Sequence, residues 1–132
     1  AAIEVFEGAL ALQVPRRRFA PVKSNNDLLV VRSDAYVLQE DSTLAINPAR
    51  VLPGLPLVSL DSQFFGLLKD FESRMRVVPS LVDAASFTVK GDVVFDHLVK
   101  IVEDAVVTAT PGAKASIPGS ISRIEATQVE LR

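Results

Sequence analysis

From Leu81 onward an apolar residue returns at every sixth position: Leu81, Phe87, Val93, Val99 and Ala105. This step constrains the fold more than any other feature, because an inward aliphatic residue every six positions is the signature of a β-helix coil. Lys90-Gly91, Asp96-His97 and Thr110-Pro111-Gly112 interrupt the apolar pieces and would be the corners. A single coil cannot bury its apolar face alone, so each must stack on a neighbour. Strict alternation in Ser86-Phe87-Thr88-Val89-Lys90 fits a small antiparallel sandwich equally well. Periodicity leaves both folds open.

Upstream the texture is different. Ile3, Val5, Phe6, Ala9 and Leu10 approximate a helical stripe over residues 1 to about 11. Ser24, Asn25 and Asn26 offer N-caps for a second helix from about Asn25 to Val37, with Leu28, Leu29, Val31, Ala35 and Tyr36 on its buried side. Leu38 to Ile46 reads as extended around a turn at Gln39-Glu40-Asp41-Ser42. Asn47-Pro48, Pro53-Gly54 and Pro56 mark a linker, which divides the chain into residues 1–47 and 48–132. Leu57 to Leu60 reads as a strand, and Ser62 to about Met75 as a helix whose Phe64, Phe65, Leu67, Leu68 and Phe71 form a packing anchor.

Composition excludes several chemistries. With no cysteine and a single histidine, His97, the chain has no disulfide, thiolate metal site, cysteine nucleophile or multi-histidine centre. The net charge of -2 argues against nucleic acid as a partner. No apolar run approaches the roughly 18 residues of a membrane span, so neither a membrane nor a place outside the cytoplasm is expected. The chain opens at Ala1 and its only methionine is Met75, which reads as a piece of a longer protein.

One stretch carries chemistry. Val14-Pro15-Arg16-Arg17-Arg18-Phe19-Ala20-Pro21-Val22-Lys23 packs four cations into ten residues and sets a proline on either side of the arginine run, which favours extended backbone. Lys23 then stands at the mouth of a helix N-terminus, where an ammonium beside free N–H groups makes a sensible anion site. The plain alternative is a solvated basic loop with an ordinary cap.

V-P-R-x-R-F-x-P-V-K followed by Asp27-Leu28-Leu29 closely resembles the segment that precedes the C-terminal domain of eukaryotic-type UTP–glucose-1-phosphate uridylyltransferases, the UDP-glucose pyrophosphorylases. The resemblance implies that Lys23 contacts phosphate, as a catalytic and substrate-binding residue, and that Arg16 and Arg18 are substrate-binding or hold the segment on a catalytic domain. Arg17 is a local variation. Val82-Asp83, Phe87-Thr88-Val89-Lys90-Gly91-Asp92-Val93-Val94-Phe95 and Ile117-Pro118-Gly119-Ser120 are similar to that family's C-terminal domain. This implies a mainly β chain with N-terminal helices: a left-handed parallel β-helix over 48–132, preceded by the helical tail of an α/β nucleotidyltransferase domain over 1–47. Asp96-His97 replaces the family's glycine-containing turn, and Glu125 to Arg132 depart from its ending.

The activity so implied is formation of UDP-glucose and pyrophosphate from UTP and glucose 1-phosphate, in the cytoplasm. UTP, glucose 1-phosphate and UDP-glucose would reach the chain through a catalytic domain outside it. Mg²⁺ would be the cofactor of the full-length enzyme, with its ligands outside this chain, and the isolated chain would be inactive. The alternatives are a stand-alone structural module forming a homo-oligomer through the β-helix, a sister enzyme acting on another sugar phosphate, and an unrelated anion- or nucleic-acid-binding domain. His97, Asp83, Asp92, Asp96, Glu103 and Asp104 read as solvated turn residues.

Overall fold

The computed structural model describes residues 5–132, except the side chain of Arg17. Val5 to Val14 run as turns and irregular chain, with Val5, Phe6, Leu10 and Leu12 exposed. The helix expected over residues 1 to about 11 is therefore absent from its described part, and its first four residues lie outside the described ones. Gly8 sits at φ +73, which breaks a helical run, and a helix this short needs packing to persist.

Helix α1 spans Asn25–Arg32. Ser24 caps it, Asp27 stands in its first turn and Arg32 in its last, each complementing the helix dipole. It stops well short of Val37. The Ser33 hydroxyl donates to the Val30 carbonyl and accepts from the Ala35 N–H, turning the chain out of the helix. Tyr36 and Val37 instead join strand β1 (Tyr36–Leu38), which pairs antiparallel with β2 (Leu44–Ile46) around the expected turn.

Strand β3 (Leu57–Leu60) forms as its sequence predicts. The helix expected from Ser62 to Met75 is two short ones, α2 (Ser62–Phe65) and α3 (Leu68–Arg74). Leu67 is extended between them, and the Phe65 and Gly66 carbonyls go to the Asn25 side-chain amide, at 2.6 and 3.1 Å. The break shifts the helical phase, so Phe65 and Phe71 are buried while Leu67 and Leu68 face solvent.

The remaining strands are β4 (Ser80–Lys90), β5 (Asp92–Val94), β6 (Lys100–Ala109), β7 (Lys114–Ser116), β8 (Arg123–Glu125) and β9 (Gln128–Leu131). Every pairing among β3 to β9 is parallel. This overturns the antiparallel alternative and makes the chain mixed α/β with a mostly parallel sheet and few helices. The strands stack along three sides. One carries Ser80–Ala84 of β4, Lys100–Glu103 of β6, and β8. Another sets Leu57 beside Ser86, Phe87 beside Ala105, and Val107 beside Val129. The third sets Met75 beside Phe95 and Val93 beside Ala115. The chain turns between sides at Gly91 (φ +83), Glu103 (φ 55) and Ala126 (φ 41), or through the register shift between Ala84 and Ser86. Gly91, Asp96-His97 and Thr110-Pro111-Gly112 lie between strands, with Lys90 ending β4.

The six-residue register is the core. Leu81, Phe87, Val93, Val99 and Ala105 are all fully buried. Phe87 meets Phe95 edge to face, with ring centroids 5.8 Å apart. Leu29, Val30 and Ala35 join the same cluster, so α1 packs on the strand stack directly.

Where β3 does not reach, the start of β4 is covered by side chains. The Asp34 carboxylate accepts from the Leu81 and Val82 N–H groups at 2.7 and 3.0 Å and from the Ser80 hydroxyl at 2.6 Å. Arg50 is buried, and its guanidinium donates to the carbonyls of Leu81, Val82, Ala84 and Gly54.

Candidate functional site

The basic run reads as extended, but Arg16–Arg18 form a 3₁₀ turn. It is closed by hydrogen bonds from Arg18 N–H to the Pro15 carbonyl and from Phe19 N–H to the Arg16 carbonyl, at 2.9 and 3.0 Å. Pro15 has the φ of -59 that opens such a turn without strain. The Arg16 guanidinium lies over the Phe19 ring, 5.2 Å from its centroid, a cation–π contact that steers it along the chain. Arg16, Arg18 and Lys23 are all exposed. Among the described residues no ion pair forms with any of the three, which leaves their charges available to an outside anion.

The mouth of α1 is partly occupied. The Asp27 carboxylate accepts from the Lys23 and Ser24 N–H groups and from the Ser24 hydroxyl, each at 2.9 Å, while Ser24 Oγ accepts from the Asp27 N–H. The Asp27 carboxylate thus holds the two N–H groups just ahead of the helix, and the Ser24 hydroxyl holds that of Asp27. Those bonds, the one from the Lys23 N–H foremost, hold the Asp27 carboxyl below the usual carboxylate range.

Asn25 and Asn26, which read as caps, are anchors. Besides the Asn25 bonds to Phe65 and Gly66, the Asn26 side-chain oxygen accepts from the Leu60 N–H at 3.1 Å. The residue pair directly after Ser24 thereby pins the first turn of α1 to β3 and α2. No pattern in the sequence distinguishes an anchoring asparagine from a capping one.

A cavity of about 590 Å³ opens elsewhere, between α2 and the corner after β6. Its wall includes Asp61, Phe64, Lys90, Asp92, Thr108 and Lys114, and none of the basic stretch. Both wall carboxylates are engaged. Asp61 accepts from the Gln63 and Gly91 N–H groups, and Asp92 holds Arg74 through bonds of 2.8 and 3.0 Å. Other acidic residues read as solvated also have partners: Asp83 pairs with Lys100 at 2.6 Å, and Asp104 accepts from Ser86 at 2.6 Å. His97 bridges the Asp96 carboxylate and the Ile121 carbonyl, each at 2.9 Å.

Comparison with known proteins bears on the basic stretch. A family model described as UTP--glucose-1-phosphate uridylyltransferase matches residues 1–102. A UTP--glucose-1-phosphate uridylyltransferase of Hordeum vulgare is 42% identical over 118 residues, covering 89% of this chain and 24% of that protein. One of Solanum tuberosum is 40% identical over the same length, with the same shares covered. The chain thus spans about a quarter of the length of the curated relatives it matches. A mutant UDP-glucose pyrophosphorylase from Leishmania major, crystallised in complex with UDP-glucose, superposes with a TM-score of 0.80 at 37% identity, over 98% of this chain and 27% of that one. A UDP-glucose phosphorylase from Trypanosoma brucei gives 0.79 at 34%, over 100% and 28%.

Proposed function

The chain belongs to the UTP--glucose-1-phosphate uridylyltransferase family, and on that premise we propose that it is the C-terminal part of an enzyme making UDP-glucose and pyrophosphate from UTP and glucose 1-phosphate. Residues 1–47 close the catalytic domain in this reading, and residues 48–132 form a left-handed β-helix domain. The parallel stacking along three sides supports the β-helix. The packing of α1 on β3 makes the join between the two parts a firm one. UTP, glucose 1-phosphate and UDP-glucose meet the chain through the catalytic domain, and the enzyme works in the cytoplasm. No helix among the described residues is long and apolar enough to cross a membrane.

Lys23 contacts phosphate in this proposal. Uridylyl transfer brings anionic groups together, and a fixed cation offsets charge as it develops on them. Arg16 and Arg18 flank it, as substrate contacts or as ties to the catalytic domain. The observation that carries the reading is the family match across the whole basic stretch, with Lys23 exposed at the head of an anchored helix. Mg²⁺ serves the full-length enzyme in this reading. Its ligands lie outside this chain in this reading, and no group of three or more histidine, aspartate or glutamate side chains among the described residues could hold a metal ion.

A homo-oligomer through the β-helix is the second part of the proposal. Strands β8 and β9 pair with β6 alone, which leaves their other edge without a strand. Sedimentation of the full-length protein reads that association directly.

The test of the first part is steady-state uridylyl transfer by the full-length protein carrying Lys23→Ala. A fall in kcat of about 100-fold, roughly 3 kcal/mol of transition-state binding, is expected. An unchanged kcat would take the basic stretch out of the active site.

A further inference from the structure

We propose that Asp27 is a positioning residue for Lys23, fixing through the main chain the direction in which the lysine side chain leaves the backbone. The proposal rests on the reading of Lys23 as a phosphate contact and adds a second residue to it.

An ordinary capping box needs only Ser24 and Asp27, each side chain accepting from the other's N–H. Both halves of it are present. The same Asp27 oxygen, Oδ2, also accepts the Lys23 N–H at 2.9 Å, a bond that capping does not require. Lys23 lies outside the helix, so without this tether nothing in α1 would hold its peptide plane.

The tether leads to fixed ground. Asp27 stands in the first turn of α1, beside Asn25 and Asn26, which bond the backbone of Phe65, Gly66 and Leu60. Leu29 and Val30 bury the next turn in the core. A continuous set of contacts therefore runs from the strand stack through α1 and the Asp27 carboxylate to the α-carbon of Lys23. A lysine ammonium is a point charge on a flexible stem, so the position and tilt of that α-carbon decide where the charge can reach. Small misplacements of a catalytic group are expensive in rate.

The experiment compares kcat and KM for UTP in the full-length protein with Lys23→Ala, Asp27→Ala, Asp27→Asn and the Lys23→Ala/Asp27→Ala pair. Asp27→Ala is expected to lower kcat by about 10- to 100-fold while KM holds. Asp27→Asn keeps an oxygen for the Lys23 N–H and should recover most of that loss, which a role resting on the negative charge would not allow. In the Lys23→Ala background, Asp27→Ala should cost nothing further in kcat. Gly112→Ala, at the corner after β6 and outside the anchors of α1, gauges lost stability: its φ of +79 disfavours a side chain, so it should lower the unfolding midpoint and keep kcat. If Lys23→Ala is impaired while Asp27→Ala keeps full kcat, or if the two losses multiply, the positioning role is overturned and the phosphate contact stands. If Lys23→Ala is itself unimpaired, both readings fall.

Discussion

Asp34 and Arg50 divide one strand edge between them: the carboxylate takes N–H groups of Leu81 and Val82, and the guanidinium takes carbonyls of Leu81, Val82 and Ala84. Together they do for the start of β4 what a neighbouring strand would do. An uncovered strand edge in a parallel stack invites pairing with other chains. Here two side chains of opposite charge close it.

Removing the donor side of that cover should be costly. Arg50→Met keeps the bulk of the stem and strips the donors from buried carbonyls, at about 1–3 kcal/mol for an acceptor left unsatisfied. Urea unfolding of the variant should show a midpoint well below wild type. A loss under about 0.5 kcal/mol, the level of an ordinary surface change, would mean that water replaces the guanidinium at no cost.

Two corner glycines separate conformation from space. Gly91 has φ +83, and a Cβ there would lie 3.2 Å from the Cβ and carbonyl oxygen of Ala109. Gly112 has φ +79 with nothing within 4 Å. Gly112→Ala should cost about 1–2 kcal/mol, the penalty of left-handed backbone alone, and Gly91→Ala more than that because Ala109 must also move. Equal losses in calorimetric unfolding would show that the Ala109 contact relaxes freely.

Phe87 is fully buried against Phe95 and lies in the six-residue register. Phe87→Ala should destabilise by about 3–5 kcal/mol. Phe64, partly exposed at the cavity wall, should tolerate the same change better. Denaturant midpoints rank the two, and a reversed order would refute the placement of the core.

His97 should titrate with the fold. Its neighbours are acceptors, first the Asp96 carboxylate and then the Ile121 carbonyl, and they raise its pKa above the ordinary 6.5. Bonding both at once needs both ring N–H groups, so the imidazolium is the favoured form. Because the folded pKa is the higher one, the stabilisation is fully present below about pH 6.5 and fades as the pH rises through the folded value. Asp96 moves the opposite way, held down chiefly by its bond to His97. NMR titration of the His97 ring should give a higher pKa in the native protein than in Asp96→Asn, and identical values would remove the bridge.

Much of the strand stack is legible because its cause is local. The six-residue step at Leu81, Phe87, Val93, Val99 and Ala105 is a pattern along the chain, and so are the corner residues between them. What escapes reading is polar and distant. Nothing near Asp34 hints that it serves Leu81, nor near Asn25 that its amide takes the Phe65 and Gly66 carbonyls and splits the helix expected there. The apolar stripe at Val5, Phe6 and Leu10 has helical spacing, yet it stays exposed and forms no helix in its described part. In the basic stretch, residue types alone favour a solvated loop over an anion site, and only likeness to a family speaks for the anion site. The grip of Asp27 on the Lys23 N–H is visible only in three dimensions.

The parallel stacking also sets an order of assembly. The β1–β2 hairpin closes a short loop, but Phe87 has no partner in β6 until Ala105 arrives, nor Val107 one in β9 until Val129. Closure entropy grows only with the logarithm of loop length, so each winding meets a similar barrier and none is a local nucleus. Pairings this distant in sequence slow folding relative to a helical chain of equal size. Each strand, once placed, is the template on which the next parallel strand pairs.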